Sequence, residues 1–171
     1  MSSFNPPEES TITVFNFNSN ADLSSWRIVN DDVMGGISTS NFSLNSNENG
    51  LFKGIVSTEN YGGFASVIYT FEPINVGKMN SLRLRIKGDG KDYQFRIKHN
   101  ASDYYSYIKS FSTSGNRQSI ELKLSDFYPG FRGRKLDMPN FNKNTIEQIS
   151  ILISNKKNEA FEIEIDKIEL K

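Results

Sequence analysis

The segment Ser81-Leu-Arg-Leu-Arg-Ile-Lys87 alternates strictly between apolar and charged or polar residues. In an extended chain its three apolar side chains share one face, which is typical of a β-strand that is buried on one side. Residues 93–98 and 161–165 repeat this period of two. Beyond Ile165 the apolar residues fall out of step with those before it, which predicts a bulge near Asp166.

Other segments of the chain have the composition of short strands, and none has the period of a long amphipathic helix. These segments are residues 11–17, 26–30, 37–42, 51–57, 64–71, 104–111, 118–124 and 148–154. Many short strands separated by Gly, Asn and Ser turns predict an all-β fold, an antiparallel β-sandwich. We expect residues 81–87 and 93–98 to form a hairpin around Gly88-Asp89-Gly90.

The length of 171 residues fits one compact domain. The first residues carry Pro6-Pro7 and Glu8-Glu9, so we predict a flexible tail over residues 1–10. Residues 11–171 are then a single β-sandwich domain, in which the Asn- and Ser-rich residues 41–49 form a surface loop.

The charge balance narrows the range of partners. The chain has 20 basic and 20 acidic residues, so no net charge attracts it to nucleic acid. No apolar run approaches the ~20 residues that span a bilayer, which predicts no membrane insertion. The start of the sequence has no signal-peptide pattern, which predicts a cytoplasmic location. Because the chain has no cysteine, disulfides, thiolate catalysis and cysteine-based zinc sites are excluded.

The most distinctive motif follows Trp26 and Asn30 and reads Asp31-Asp-Val-Met-Gly-Gly-Ile-Ser38. Two carboxylates, Asp31 and Asp32, stand before an apolar Met34 and the pair Gly35-Gly36. Glycine permits backbone conformations with positive φ and close approach of other groups. The segment can therefore turn sharply and bring main-chain N–H groups and acidic side chains together.

This motif resembles the signature of the complex I intermediate-associated protein 30 family, and later motifs of that family follow in order. They are Phe52-Lys53-Gly54, Asn60-Tyr-Gly62-Gly63-Phe-Ala-Ser66, Lys87-Gly-Asp89-Gly-Lys91 with Tyr93, Asp126-Phe127 and Phe131-Arg132-Gly-Arg134. The resemblance covers nearly the whole chain, from about Phe15 to Leu170. It implies a galactose-binding-like jelly roll, which agrees with the strand pattern.

Three aspartates are candidates for directed chemistry: Asp31, Asp32 and Asp89. Carboxylates so placed could bind calcium or act as general acid and base. The reading that we favour is structural, in which Asp31 and Asp32 accept backbone hydrogen bonds and shape the turn. His99 is the only histidine, and its polar loop favours an exposed turn residue over a catalytic one. We therefore predict no cofactor, no metal site and no catalytic residue.

Aromatic residues are numerous and could line a concave sheet face that holds a sugar or a peptide. We expect about half of them to be plain core. Tyr104, Tyr105 and Tyr107 cannot all face inward, because successive strand residues alternate sides. The candidates are Trp26, Tyr61, Phe64, Tyr93, Tyr104, Tyr105, Tyr107, Phe111, Phe127, Tyr128 and Phe131.

A basic cluster, Arg132-Gly-Arg134-Lys135, follows a Tyr-Pro-Gly turn. It could bind a carboxylate or phosphate of a partner, since the arginine guanidinium matches such groups in a bidentate way. The alternatives are a solvated loop and an internal ion pair to Asp31 and Asp32, of which we prefer the ion pair because a neutral chain has reason to pair these groups.

The resemblance implies a non-enzymatic protein-binding module, a chaperone-like assembly factor for respiratory NADH:ubiquinone oxidoreductase (complex I). The expected partner is a protein, such as a respiratory complex subunit or assembly intermediate. The start of the chain does not resemble a mitochondrial presequence, so we expect a stand-alone cytoplasmic version. The alternatives are a carbohydrate or small-ligand module, with or without calcium, and an enzyme that uses the three aspartates. Predicted partner-binding residues are Trp26, Asn30, Asp31, Asp32, Met34, Gly35, Gly36, Ser38, Asn60, Gly62, Gly63, Asp89, Arg132 and Arg134.

Overall fold

The computed structural model describes residues 10–171. The predicted tail, residues 1–10, lies outside the described residues except for Ser10. The boundary at residue 11 between tail and domain therefore stays a prediction.

One sheet has six antiparallel strands. They are β1 (Ile12–Asn16), β3 (Thr39–Leu44), β4 (Gly50–Val56), β6 (Ser81–Lys87), β9 (Arg117–Lys123) and β13 (Glu159–Leu170). Their order is β3-β4-β13-β6-β9. Strand β1 pairs with the C-terminal half of β13, from Ile12 opposite Leu170 to Asn16 opposite Lys167. The long last strand is thus the centre of this sheet.

The other sheet has seven antiparallel strands. They are β2 (Trp26–Asn30), β5 (Ala65–Asn75), β7 (Asp92–Lys98), β8 (Ser106–Ser112), β10 (Tyr128–Phe131), β11 (Arg134–Lys135) and β12 (Thr145–Ile153). Their order is β11-β10-β8-β7-β12-β5-β2, which puts β2 and β11 at opposite edges. Short 3-10 helices cover Asp31–Met34, Glu59–Tyr61 and Leu124–Asp126.

The core lies between the two sheets and is built from alternate strand residues. Leu82, Leu84 and Ile86 of β6 are fully buried. Ile163 of the neighbouring strand β13 and Phe95 of β7 in the opposite sheet are also fully buried. Arg85 and Lys87, which alternate with the apolar residues of β6, face solvent. The predicted all-β antiparallel sandwich is confirmed, and the alternation in residues 81–87 arises because one face of β6 packs on the opposite sheet.

The bulge near Asp166 is also confirmed. The register of β13 against β6 shifts between Ile165 and Lys167. The shift lets Ile163 and Ile165 on one side of the bulge, and Ile168 and Leu170 on the other, all point into the core, although their spacing breaks the period of two.

The predicted hairpin of residues 81–87 and 93–98 is wrong. Strand β6 pairs with β13 and β9 in one sheet, whereas β7 pairs with β12 and β8 in the other. The segment around Gly88 and Gly90 therefore crosses between the sheets. A side chain at Gly88 would collide with Thr113, which lies on the return crossing from β8 to β9. Thr113 accepts a hydrogen bond from the Gly90 N–H and donates one to the Lys91 carbonyl, so the two crossings are tied together.

About half of the predicted aromatic candidates are core residues. Trp26 packs in a buried cluster with aromatic rings of β1, β3 and β5. Tyr93 and Tyr107 are also buried, whereas Tyr104 is 63% exposed. The prediction that the tyrosines of residues 104–107 cannot all face inward is confirmed.

Candidate functional site

The signature motif begins where edge strand β2 ends. Asn30 is the last residue of β2, and residues 31–34 form a single 3-10 turn. Gly35 ends this turn in a left-handed conformation, with φ of 90°. The N–H groups of Gly35 and Gly36 then bond back to the carbonyls of Asp32 and Asp31. Glycine suits position 35 because a positive φ is costly for other residues.

The carboxylate of Asp31 holds this loop to a second loop. Asp31 is fully buried. Its Oδ1 accepts the Ser38 N–H at 3.0 Å, and its Oδ2 accepts the Ser38 hydroxyl at 2.5 Å. The same Oδ2 accepts the N–H groups of Gly63 at 2.6 Å and Phe64 at 3.3 Å. One acidic side chain thus joins the signature loop to the loop between β4 and β5.

Two glycines leave the room that this carboxylate occupies. A Cβ at Gly36 would overlap the Asp31 side chain, and a Cβ at Gly62 would lie 2.5 Å from Asp31 Oδ2. Both contacts would be closer than two non-bonded atoms can approach. These glycines, which the sequence marks as family motifs, are therefore explained by close packing against Asp31.

The hydrogen bonds also decide the charge state of Asp31. Burial raises the pKa of this carboxyl, but the hydrogen bonds from Ser38, Gly63 and Phe64 outweigh burial and hold the pKa below its usual value. Asp31 is therefore ionised at neutral pH, and a buried carboxylate with this many donors is a strong cross-link.

Two further polar residues extend the cross-link to the six-stranded sheet. The Ser38 hydroxyl accepts the Ser57 N–H at 2.9 Å, just after β4. The Asn30 amide accepts a hydrogen bond from the Ser40 hydroxyl of β3 at 2.8 Å. Asn30, Asp31 and Ser38 thus join the end of β2 in one sheet to β3 and β4 in the other.

The two cross-linked loops carry exposed side chains beside these buried contacts. We call Asp32, Ile37, Asn60 and Tyr61 the signature platform. Ile37 is 52% exposed and Tyr61 is 98% exposed, which is unusual for large apolar residues. Asn60 and Tyr61 both have positive φ, 56° and 61°, so the loop holds two non-glycine residues in a strained conformation. The side chain of Met34 lies outside those that the structure describes.

Asp89 lies in a separate polar cluster. Its oxygens accept hydrogen bonds from the Tyr93 hydroxyl at 3.0 Å, the Lys91 N–H at 3.2 Å and the Glu162 N–H at 2.8 Å. It shares no hydrogen-bond partner with Asp31. Residues 10–171 contain no group of three or more Asp, Glu, His or Cys side chains that could hold a metal ion. Half-buried His99 contacts the Thr145 carbonyl through Nδ1 at 2.9 Å.

The preferred ion pair between the basic cluster and Asp31 or Asp32 is wrong. Arg132 and Gly133 form the turn between β10 and β11, at the edge of the seven-stranded sheet opposite to β2. Arg132 lies over the Phe131 ring, 5.1 Å from its centroid. Sequence reasoning could not foresee this separation, because charge balance does not say which strands form the two edges.

The sequence-based candidates also missed the outer face of the seven-stranded sheet. Strand register aligns one outward residue from each of six strands in a single row across this face. The row is Arg27, Ile68, Ser150, Arg96, Ile108 and Tyr128. Ser66, Gln148, Ser150, Ile108 and Leu152 are buried although they point away from the core, so the face is recessed. A polar pocket of about 320 Å³ lies beside the row, next to Gln94 and Ser110.

The recessed face is electropositive. Burial lowers the pKa of Lys98; Asp103 opposes this effect, while the nearby Arg27 and Arg96 cations add to it. Burial also lowers the pKa of Arg96. The signal in the sequence was the polar half of the alternation in residues 93–98, namely Gln94, Arg96 and Lys98. What the sequence did not show was that Arg27 joins them from a distant strand.

Comparison with known proteins shows which family the chain belongs to. The profile of the complex I intermediate-associated protein 30 family matches residues 15–165. The chain belongs to this family. The resemblance that the signature and later motifs suggested is therefore confirmed over nearly the whole sandwich.

A curated relative is the mitochondrial complex I intermediate-associated protein 30 of mouse (Mus musculus). It is 25% identical over 181 aligned residues, covering 92% of this chain and 55% of the relative. The chain thus spans little more than half of that protein. The prediction of a cytoplasmic location is wrong by this comparison, since the relative is mitochondrial. No helix among residues 10–171 is long and apolar enough to cross a membrane.

Solved structures with this fold include a family 11 carbohydrate-binding module of a cellulosomal cellulase from Clostridium thermocellum. It has a TM-score of 0.71 at 16% identity, with 94% of each chain covered. The same module in complex with a β-1,3-1,4-mixed-linked tetrasaccharide has a TM-score of 0.69 at 16% identity and the same coverage. These likenesses confirm the galactose-binding-like jelly roll.

Proposed function

We propose that this chain is a non-enzymatic protein-binding module that holds its partner on the signature platform. The observation that carries the proposal is that a single buried carboxylate, Asp31, fixes two loops that display Ile37 and Tyr61 to solvent. In this proposal Asp32 and Asn60 make directed contacts, while Asn30, Asp31, Ser38 and the glycines act through loop geometry. Trp26 supports the loop from the core.

A fixed loop with an exposed tyrosine suits protein recognition for two physical reasons. Tyrosine is enriched among the residues that dominate protein interfaces, since it combines a large apolar ring with a polar end. A loop that is already ordered loses little conformational entropy on binding, so more of the contact energy appears as affinity. The strained backbone at Asn60 and Tyr61 is held in place by hydrogen bonds to Asp31 from the adjoining segment.

Family membership supports a particular class of partner. The mouse relative is named for association with complex I intermediates. We propose by analogy that this chain binds a subunit or an assembly intermediate of a respiratory complex, in a chaperone-like role. Complex I is the first candidate, since the family takes its name from it.

The alternative is a carbohydrate-binding module, which the fold supports through the sugar-bound family 11 module. Sugar sites commonly use aromatic rings as platforms. Among the outward strand positions of the seven-stranded sheet within residues 10–171, Tyr128 is the only aromatic residue. The protein-binding proposal is therefore the stronger one, because the exposed ring of Tyr61 lies on the signature platform and not in the recess.

The proposal is tested by affinity purification of the tagged chain from its host, with mass spectrometry of the co-purifying proteins. Tyr61→Ser removes the exposed ring of the platform. Tyr104→Ser is the matched control, since Tyr104 is also exposed but lies near the opposite edge of the sheet, against Phe131. Both variants should keep the unfolding temperature of the wild type. We expect a partner that the wild type and Tyr104→Ser retain and that Tyr61→Ser loses.

Two outcomes would contradict parts of the proposal. Equal capture by Tyr61→Ser and by the wild type would show that the platform is not the docking surface. Unchanged assembly and activity of the host NADH dehydrogenases after gene deletion would exclude the respiratory role. A broad glycan array, with and without calcium, addresses the alternative, which fails if no glycan binds.

A further inference from the structure

We infer that the recessed outer face of the seven-stranded sheet is a second binding surface, which takes an acidic segment of a protein through Arg96 with Lys98 and Arg27 beside it. This surface is separate from the signature platform. Its residues belong to strands β2 and β7, whereas the platform belongs to the loops after β2 and β4. The inference therefore stands or falls independently of the role of Tyr61.

Arg96 lies at the middle of the row that crosses this face. Ser150 of β12 is its neighbour on one side, and Ile108 of β8 is its neighbour on the other. Both neighbours are buried and neither carries a charge. A ligand that lies on this face at Arg96 therefore meets one cation that is flanked by small or apolar side chains.

The guanidinium of Arg96 has unused hydrogen-bonding capacity. Its Nε and one terminal nitrogen both donate to Gln94 Oε1, at 3.0 and 2.7 Å. An arginine has five N–H donors, so three remain after these two bonds. Within the part of the chain that the structure describes, no carboxylate pairs with Arg96, Arg27 or the Lys98 ammonium.

Charge complementarity decides the chemistry of the occupant. Arg27 and Arg96 both lie close enough to Lys98 to lower its pKa. Asp103 is the acid beside them, and Lys98 donates to its backbone carbonyl at 2.6 Å. The chain as a whole is neutral, so this is a local positive field on a partly desolvated surface. A carboxylate is the best partner for this positive field, since a carboxylate accepts two parallel hydrogen bonds from one guanidinium.

An acidic peptide fits this face better than an acidic sugar does. The row crosses six strands, and five strand spacings of ~4.8 Å give about 24 Å. An extended peptide covers that length with about seven residues. Sugar sites commonly use aromatic platforms, and the row offers Tyr128 alone, at one end.

The test is titration of the folded chain with poly-L-glutamate, followed by NMR of the backbone amides. Poly-L-glutamine and polygalacturonate are titrated in parallel as neutral and acidic-sugar comparisons. We expect poly-L-glutamate to shift the amides of β7 and β12, and to bind more weakly as salt rises. Arg96→Gln should weaken this binding by about tenfold or more. Arg85→Gln is the matched control, an outward arginine at the middle of β6 in the other sheet, and should change nothing.

Several results would overturn the inference. These are no binding of poly-L-glutamate, equal binding by Arg96→Gln and Arg85→Gln, amide shifts confined to the six-stranded sheet, or tighter binding of polygalacturonate on the same face. If Arg96→Gln does not fold, the double variant Arg27→Gln/Lys98→Gln replaces it, with the same expected loss. Loss of the host partner in Tyr61→Ser with no poly-L-glutamate binding would leave the proposed function intact and reject only this inference.

Discussion

The signature loops and the outer face of the seven-stranded sheet use their charged residues in opposite ways. Asp31 is buried, and both of its oxygens accept hydrogen bonds from the protein itself. Arg96 is half-buried, and most of its donors have no partner among residues 10–171. The first arrangement builds a rigid structure, whereas the second leaves capacity for a ligand.

A recognisable motif and an open binding surface therefore need not coincide in one molecule. The signature is recognisable because packing around Asp31 admits little variation: glycine at positions 36 and 62, and a hydroxyl at Ser38. The outer face has no motif, since its cations come from strands far apart in the sequence. In this molecule the signature motif therefore identifies the residues that hold the platform in place. The strand register identifies where cations without a carboxylate partner lie.

The largest expected effect comes from the two neighbouring aspartates. Asp31→Ala should destabilise the fold by about 3 kcal/mol, because each buried donor left unpaired costs about 1–3 kcal/mol. Asp32→Ala should change stability by less than about 0.5 kcal/mol, since Asp32 is exposed. The measurement is chemical unfolding of both variants. Equal effects would remove the distinction between a buried cross-link and an exposed platform residue.

The next effect comes from Gly62, whose added methyl group would meet the Asp31 carboxylate. Gly62→Ala should cost about 1–3 kcal/mol through overpacking. In an Asp31→Ala background the added cost should be smaller, because the group that it meets is gone. A double-mutant cycle measures this coupling. Full additivity would mean that the glycine is required for a reason other than contact with Asp31.

The smallest effect concerns the basic turn at the far edge. Arg132→Ala should cost about 0.5 kcal/mol, the size of an exposed contact between a cation and an aromatic ring. Its effect should add to that of Asp31→Ala within about 0.5 kcal/mol, as for distant sites. Unfolding of the single and double variants measures both terms. A coupling above 1 kcal/mol would restore the ion pair that the sheet order rules out.

The sandwich could be predicted from the sequence because its signal is local. Alternation in residues 81–87 needs only one buried face, and the loss of phase after Ile165 marks the bulge. The structural role of Asp31 could also be predicted, since aspartate commonly accepts backbone hydrogen bonds in turns. Its distant donors, Gly63 and Phe64, could not, because they belong to another loop.

The errors have a common physical origin in non-local pairing. Residues 81–87 and 93–98 read as a hairpin because a short Gly-Asp-Gly segment joins two strands. The same segment can equally well cross between two sheets. Close packing of Gly88 against Thr113 favours this second arrangement. The basic cluster and the acids were paired by charge alone, whereas sheet order separates them. The cationic face was missed for the same reason.

Amide hydrogen exchange at Ser38 and Gly63 tests most directly whether Asp31 fixes the two signature loops. Both N–H groups donate to the Asp31 carboxylate, so they should exchange slowly in the wild type although they lie in loops. In Asp31→Asn both should exchange much faster, while the amides of β12 keep their protection. Fast exchange at Ser38 and Gly63 in the wild type, or unchanged exchange in the variant, would contradict the account.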